Sequence, residues 1–454
     1  MVATVALLSR LALALYLGVW GEPERWEYDV IAANIHAGAG HIYDRQGFVY
    51  DAYAPPLWSY ALAGLLGIPG LTRASIQIVQ ALLCLGTAAA CGALARRLGG
   101  GDIAAVLTGL CVALQPSLLY YSVVKSDPLP LNAFLLSLIA LVGAALIEAP
   151  SQGRAIGAGL LIALATVSRG TPAIALPIMA ILLILGRRAR AVETVLTMSA
   201  AMVLGLAPWL VRNTLVLGEP LITSTSGENF WRGNNEHATG GVVDRNGRSL
   251  TRLAPSSDVF PPAVRAVLET GTEADRQRVF MTEAWRFIRA NPADALGLFV
   301  RKMRIFWWRI DSDSADYAPI SARLYEWLYR TELALALLGV VALWRRESPG
   351  DEESRRHAIL LIVGLLVGIS LSQSAFYVQG RHRFLIEPLL LIFSAYGRST
   401  LGGEASAWSM ARFEMTGRRT RPAGIAAGPR GSSSPRKSAA HPPPTWPDGS
   451  PLNA

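Results

Sequence analysis

The sequence predicts a mainly α-helical, polytopic membrane bundle of about ten spans, with interfacial helices in the first outer loop and a loop-rich helical segment on the outer side. Three observations predict it. Of 454 residues, 52% are hydrophobic and only 17% charged, with a mean hydropathy of +0.33; a soluble domain carries about 25% charge. Apolar runs of near-spanning length recur along the chain. Lys and Arg gather in short loops and in the tail, as cytoplasmic loops require. The formal charge of +9 therefore implies no nucleic acid partner. The three cysteines, Cys84, Cys91 and Cys111, sit inside apolar runs without metal-ligand spacing and read as packing residues.

Val2–Trp20 is the first span. It has no basic start, so it does not read as a cleaved signal, and its first charge, Arg10, falls mid-run. Two readings fit: Arg10 faces the bundle, or translation starts elsewhere. The stretch 21–56 follows, acidic and aromatic, with Glu22, Glu24, Glu27, Asp29, Asp44 and Asp51 among Trp26, Tyr28, Tyr43, Tyr50 and Tyr53. It reads as a catalytic face on the membrane surface, or as a solvated connector with interfacial rings. Tyr28–Ala37 has helical spacing. Leu57–Ile68, behind Pro55-Pro56, is short for a crossing and reads as re-entrant.

The next spans are Ala74–Ala95, Ile103–Tyr121, Leu129–Ile147, Ile156–Val167, Pro172–Leu185 and Val192–Val211. With Leu57–Ile68 not crossing, Arg96-Arg97, Arg154, Arg187-Arg188, Arg345-Arg346, Arg355-Arg356 and the tail fall on the N-terminal, cytoplasmic side. The bias reverses if it crosses. Four regions result: an N-terminal bundle (1–211) carrying the catalytic first loop, an extracytoplasmic segment (212–330), C-terminal helices (331–397) and a basic, Pro/Ser/Gly-rich tail (398–454) without periodicity, read as disordered. The extracytoplasmic segment mixes Gly/Asn-rich turns (SGENFWRGNNEHATGG) with amphipathic stretches at Glu273–Ala290 and Pro292–Trp308. The last spans are Thr331–Trp344, Ala358–Ser374 and Phe384–Tyr396.

This topology brings the acidic loop, Lys125-Ser126-Asp127, Arg169, Arg212-Asn213 and Arg381-His382-Arg383 to one face. Guanidinium and ammonium groups bind phosphate, and a carboxylate can serve as base. Charge at membrane depth is by default a functional hypothesis.

Ordered motifs over about residues 1–397 carry a resemblance: ERWEYDVIAANI with AGAG, YAPPLWSYALA, ALARRLGGGDIAAVL, LQPSLLYYSVVKSDPL, SRGTPAIALP, APWLVRNTLVLGEPLITSTSGENFWRGNN and QGRHRFLIEPLL. The chain resembles the GT-C superfamily of membrane glycosyltransferases, among them bacterial relatives of protein O-mannosyltransferases and of the lipid A aminoarabinose transferase. The resemblance implies an inverting glycosyltransferase of the cell envelope, seated in the inner membrane with its active site on the extracytoplasmic side. It implies a polyprenyl-phosphate sugar as donor and a glycan, lipid or protein as acceptor.

It also implies an acid of the first outer loop as general base. The family has an Asp four residues before a Tyr that opens a helix; here that position is Glu24, and Glu27 and Asp29 compete. Each is equally readable as a helix N-terminal carboxylate. A second acid maps to Asp127, with an N-cap as its plain reading. Arg381 or Arg383 is implied as the phosphate contact, with Lys125 and Arg212 as further candidates; Lys125 could instead snorkel to the interface. Asn229, Asn234 and Asn235 read as turn residues. Some relatives use a divalent metal and others do not; His36, His41, His237 and His382 are too scattered to form a ligand set. The competing readings are a transporter or flippase for a lipid-linked anion, which the lack of a repeat disfavours, and a catalytically inactive relative.

Overall fold

A computed structural model describes residues 1–187, 190–308, 319–346 and 352–401. By Cα proximity the chain divides into Met1–Gly403 and Glu404–Ala454; the second unit, and so nearly all of the basic tail, lies outside the described residues.

The first part runs α1 (Val2–Tyr16), α2 (Glu27–His36), a hairpin of β1 (Tyr43–Arg45) and β2 (Phe48–Tyr50), and α3 (Pro56–Leu66). Then come α4 (Ala74–Arg97), α5 (Gly101–Ala113), α6 (Pro116–Val124), α7 (Leu129–Glu148) and α8 (Gln152–Thr166). A 3-10 turn, Thr171–Ile174, leads into α9 (Ala175–Leu185), followed by α10 (Ala191–Leu217). The remainder is α11 (Ser226–Gly233), α12 (Pro262–Thr270), α13 (Glu273–Ala290), α14 (Pro292–Trp308), α15 (Pro319–Arg345), α16 (Glu352–Ser374), a second 3-10 turn at Gly380–His382, and α17 (387–401).

Among the described residues five helices are long and apolar enough to cross a membrane: α4, α7, α10, α15 from Arg323, and α16. The pair α5 and α6 makes a sixth if counted as one span bent by 48°. The expected single span Ile103–Tyr121 is thus broken. Pro116 has no N–H to continue the ladder, and Gln115 before it is extended (φ −57°, ψ 119°). The first span also stops early, at Tyr16, and the helix 172–185 is short. The 11 residues of α3 cover roughly 16 Å, about half the hydrocarbon thickness.

The core centres on α7, of whose apolar window 67% is buried, against 28% for α10. Ala133, Leu136, Ile139 and Ala140 of α7 share one buried core with Ile362 and Leu365 of α16 and with Leu389 and Phe393 of α17. Small residues let helices touch backbone to backbone. A Cβ on Gly159 of α8 would collide with the carbonyl of Met198, and one on Gly339 of α15 with that of Phe393.

After α10 a second, smaller core forms from Phe230, Trp231, Val264, Phe280 and Ala284. Here the sequence expectation of turns at GENFWRGNN is corrected: Ser226–Gly233 is helical, because one face buries Phe230 and Trp231 against α13. Asn234 and Asn235 then donate to the carbonyls of Phe230 and Trp231 at its end. Similarly, Arg212 and Asn213 lie inside α10, not beyond it. This segment grips the first loop: Glu273 accepts from the backbone N–H of Asp51 and Ala52 (2.6 and 2.9 Å), and Arg45 pairs with Glu228 at 3.0 Å.

Candidate active site

Helix α2 begins where its cap allows. The Asp29 carboxylate accepts from the Trp26 N–H at 3.1 Å and from Arg73 at 2.8 Å, so it fixes the turn that precedes α2. Glu27 opens that helix and is half-buried.

The loop between α6 and α7 is laced to this turn. Glu24 donates its N–H to the Val124 carbonyl (2.7 Å) and accepts from Ser126 N–H (3.0 Å). Its carboxylate, half exposed, lies 3.5 Å from the buried Lys125 ammonium, which also sits 4.5 Å from the Trp26 ring centre. Buried Gln80 of α4 holds the loop from the other side, donating to the carbonyls of Ser122 and Lys125 and accepting from Asp127 N–H. One Asp127 oxygen caps α7 through Leu129 N–H at 2.8 Å.

Two arginines complete the group. Arg381, in the second 3-10 turn, places its guanidinium 5.5 Å from the Trp26 ring centre. Arg169, in the turn after α8, donates to the Gln373 side chain at 3.2 Å. Glu27, Asp127, Arg169 and Arg381 are each half-buried, so solvent reaches them within a protein surround.

Their charges act on one another. Burial pushes the Glu27 carboxyl above its ordinary range; Arg381 pulls it back and Asp127 adds to the rise. Burial also raises Asp127, against Arg381, Arg169 and Lys125. The Arg169 guanidinium is pushed down by burial first and then by Arg381. His382 is held neutral, far below its ordinary value, by burial and then by Arg169 and Arg381. Two guanidinium groups that repel one another in a partly desolvated place can bind an anion between them, and a carboxyl with a raised pKa is suited to take a proton near neutral pH.

Five of the eight residues singled out in the sequence, Lys125 among them, stand elsewhere or are held by other groups. Arg383 is in the core, paired with Glu387 at 3.2 Å, bonded to the Phe306 carbonyl and 3.7 Å from the Tyr329 ring centre. Arg212 binds the Asp51 carbonyl at 2.7 Å and stacks on Trp209. Asp29 is a helix cap, and Glu24 belongs to the Lys125 bridge. Among the described residues no group of three or more His, Cys, Asp or Glu is placed to hold a metal. A divalent ion here would find two carboxylates, Glu27 and Asp127, and would need other ligands from substrate or water.

Residues 53–211 match the profile of the family described as dolichyl-phosphate-mannose-protein mannosyltransferase. No curated protein matches the chain in sequence. Among solved structures, the Archaeoglobus fulgidus oligosaccharyltransferase complexed with Zn and sulfate superposes with a TM-score of 0.50 at 15% identity, over 89% of this chain and 49% of that one. The two chains share a fold. AglB from the same organism, in complex with an inhibitory peptide and a dolichol-phosphate, gives 0.48 at 13% identity, over 90% and 51%. ArnT from Cupriavidus metallidurans bound to undecaprenyl phosphate gives 0.40 at 15% identity, over 88% and 79%. The chain spans about half the length of the archaeal proteins.

The family match covers Asp127 and Arg169 but not Glu27 or Arg381. Sequence reasoning placed Arg169 on the same face as the others without making it a site residue. The signal was available: Arg is disfavoured in an outer turn between two apolar runs, the same ground that singled out Arg381. Trp26, whose ring carries both Lys125 and Arg381, left no such mark.

Proposed function

We propose that the chain transfers a sugar from a polyprenyl-phosphate donor to an acceptor hydroxyl or phosphate. The observation that carries this is the convergence of Glu27, Asp127, Arg169 and Arg381 from four distant parts of the sequence. The membrane helices would hold the isoprenoid, and the two guanidinium groups its phosphate. The match of residues 53–211 to the dolichyl-phosphate-mannose-protein mannosyltransferase family agrees with such a donor.

In an inverting transfer the acceptor oxygen bonds to the anomeric carbon as the bond from that carbon to the phosphate oxygen breaks. The polyprenyl phosphate leaves with the electron pair, and Glu27 takes the acceptor proton. Glu27 is favoured over Glu24 because Glu24 is spent on Lys125, and over Asp29 because Asp29 caps a helix. Asp127, with one oxygen left beyond its cap, orients the acceptor. The arginines act more strongly on the departing phosphate, which gathers charge, than on the bound donor.

In this reading the chain makes about ten crossings. Its basic loops and tail are cytoplasmic, and the site faces the extracytoplasmic side. Residues 212–308 pack there against the first loop, between the bundle 1–211 and the helices 331–397.

Purified full-length protein with a labelled polyprenyl-phosphate sugar and candidate acceptors tests it. Transfer should fall about a hundredfold or more in E27Q, and D127N should lose activity as well. Wild-type rates in both variants would remove the catalytic assignment.

A further inference from the structure

A second charged site lies behind the loop that carries Lys125 and Asp127, in the wall formed by α1, α4 and α6. Arg10 of α1 is only 3% exposed. Its Nε donates to Ser122 Oγ at 3.0 Å, and one terminal nitrogen donates to the carbonyls of Ala6 and Ala113 at 2.8 and 3.0 Å. The other terminal nitrogen has no partner, and no carboxylate pairs with this cation among the described residues. Neutral acceptors offset part of the cost of burying a guanidinium but leave its charge unmatched.

Arg10 and Ser122 line a cavity of about 190 Å³, together with Leu7, Leu11, Trp20 and Ile78. These last four are 39–48% exposed, so the cavity opens on the apolar outer surface of the bundle. The other polar wall residue, Gln77, is already spent: it donates to the carbonyls of Val19 and Val123 and accepts from Gly21 N–H. An anion that matches Arg10 must therefore arrive from the lipid side.

We propose that this cavity binds an acidic lipid, with its phosphate or carboxylate head on Arg10 and its chain along Leu7, Leu11 and Ile78. The occupant would sit under the Val19–Gly21 turn that leads into α2. Its binding rests on Arg10 and the cavity alone and requires no sugar transfer.

The test uses the full chain in phosphatidylcholine nanodiscs with three probes: a diazirine-bearing dodecyl phosphate, the matching neutral dodecanol, and unlabelled inorganic phosphate as competitor. The acidic probe should label α1 and α4 saturably and the neutral one should not. Inorganic phosphate should not compete. R10M should cut labelling about tenfold. Ala81 of α4 also lines the cavity; A81F, which fills it and keeps the cation, should do the same, and it carries the test if R10M fails to fold. Equal labelling by both chain probes, labelling unchanged in A81F, or full competition by inorganic phosphate would overturn the lipid assignment.

Discussion

The Arg381 guanidinium lies 5.5 Å from the centre of the Trp26 ring. That contact joins the far end of the chain to the first loop, and the flanking Glu27 feels the arginine's charge. A cation over an indole face contributes about 0.5–2 kcal/mol, depending on how dry the site is. Replacing Trp26 with Ala removes the shelf under both Arg381 and Lys125. W26A should raise KM for the donor several-fold and leave thermal stability within a few degrees of the parent, as read from donor titrations and an unfolding scan.

The pH dependence of transfer should report Glu27. Its carboxyl is raised above the ordinary value of 4.5, with burial as the main cause. As a base it must be ionised, so kcat should fall as pH drops through a pKa above 4.5. Arg381 lowers that pKa, so R381A should move the acidic limb to higher pH. For stability the sign is opposite: a raised carboxyl favours the protonated fold at low pH and opposes folding above the raised pKa. E27Q should therefore be at least as stable as the parent at neutral pH while losing transfer.

Asp29 should behave differently from Glu27 despite being two residues away. It caps α2 and holds Arg73. D29A should cost about 1–3 kcal/mol, and its loss of activity should track the loss of folded protein. A folded D29A with transfer reduced as far as in E27Q would move the base from Glu27 to Asp29.

Arg383 should prove structural. It is buried with Glu387, so removing one partner leaves an unmatched charge, a change that costs about 3–5 kcal/mol. R383A should fail to fold or unfold well below the parent, whereas R381A should fold normally and lose donor binding. Size-exclusion profiles and donor binding on both variants separate the two arginines.

Much of this architecture was legible in the sequence, and the misses have physical causes. Helix α2 was predicted over Tyr28–Ala37 and begins one residue earlier, because a 3.6-residue period marks a helix well and its ends poorly. The break at Pro116 was a local signal outweighed by the apolar run around it. Residues Ser226–Gly233 looked like turn on composition; tertiary burial of Trp231 made them helix. In the site, residue type and chain order brought Glu27, Asp127 and Arg381 into view. They could not separate Arg381 from Arg383, because adjacent turns aim one side chain at Trp26 and the other into the core.

The most direct measurement is cross-linking between positions 26 and 381. In full-length protein with Cys84, Cys91 and Cys111 replaced by Ser or Ala, cysteines are placed at both positions in native membranes and bridged with a short bis-maleimide. The expected result is an intramolecular bridge in high yield, with either thiol blocked by a membrane-impermeant maleimide added from the extracytoplasmic side. No bridge, or blocking of the two thiols from opposite sides of the membrane, would contradict it.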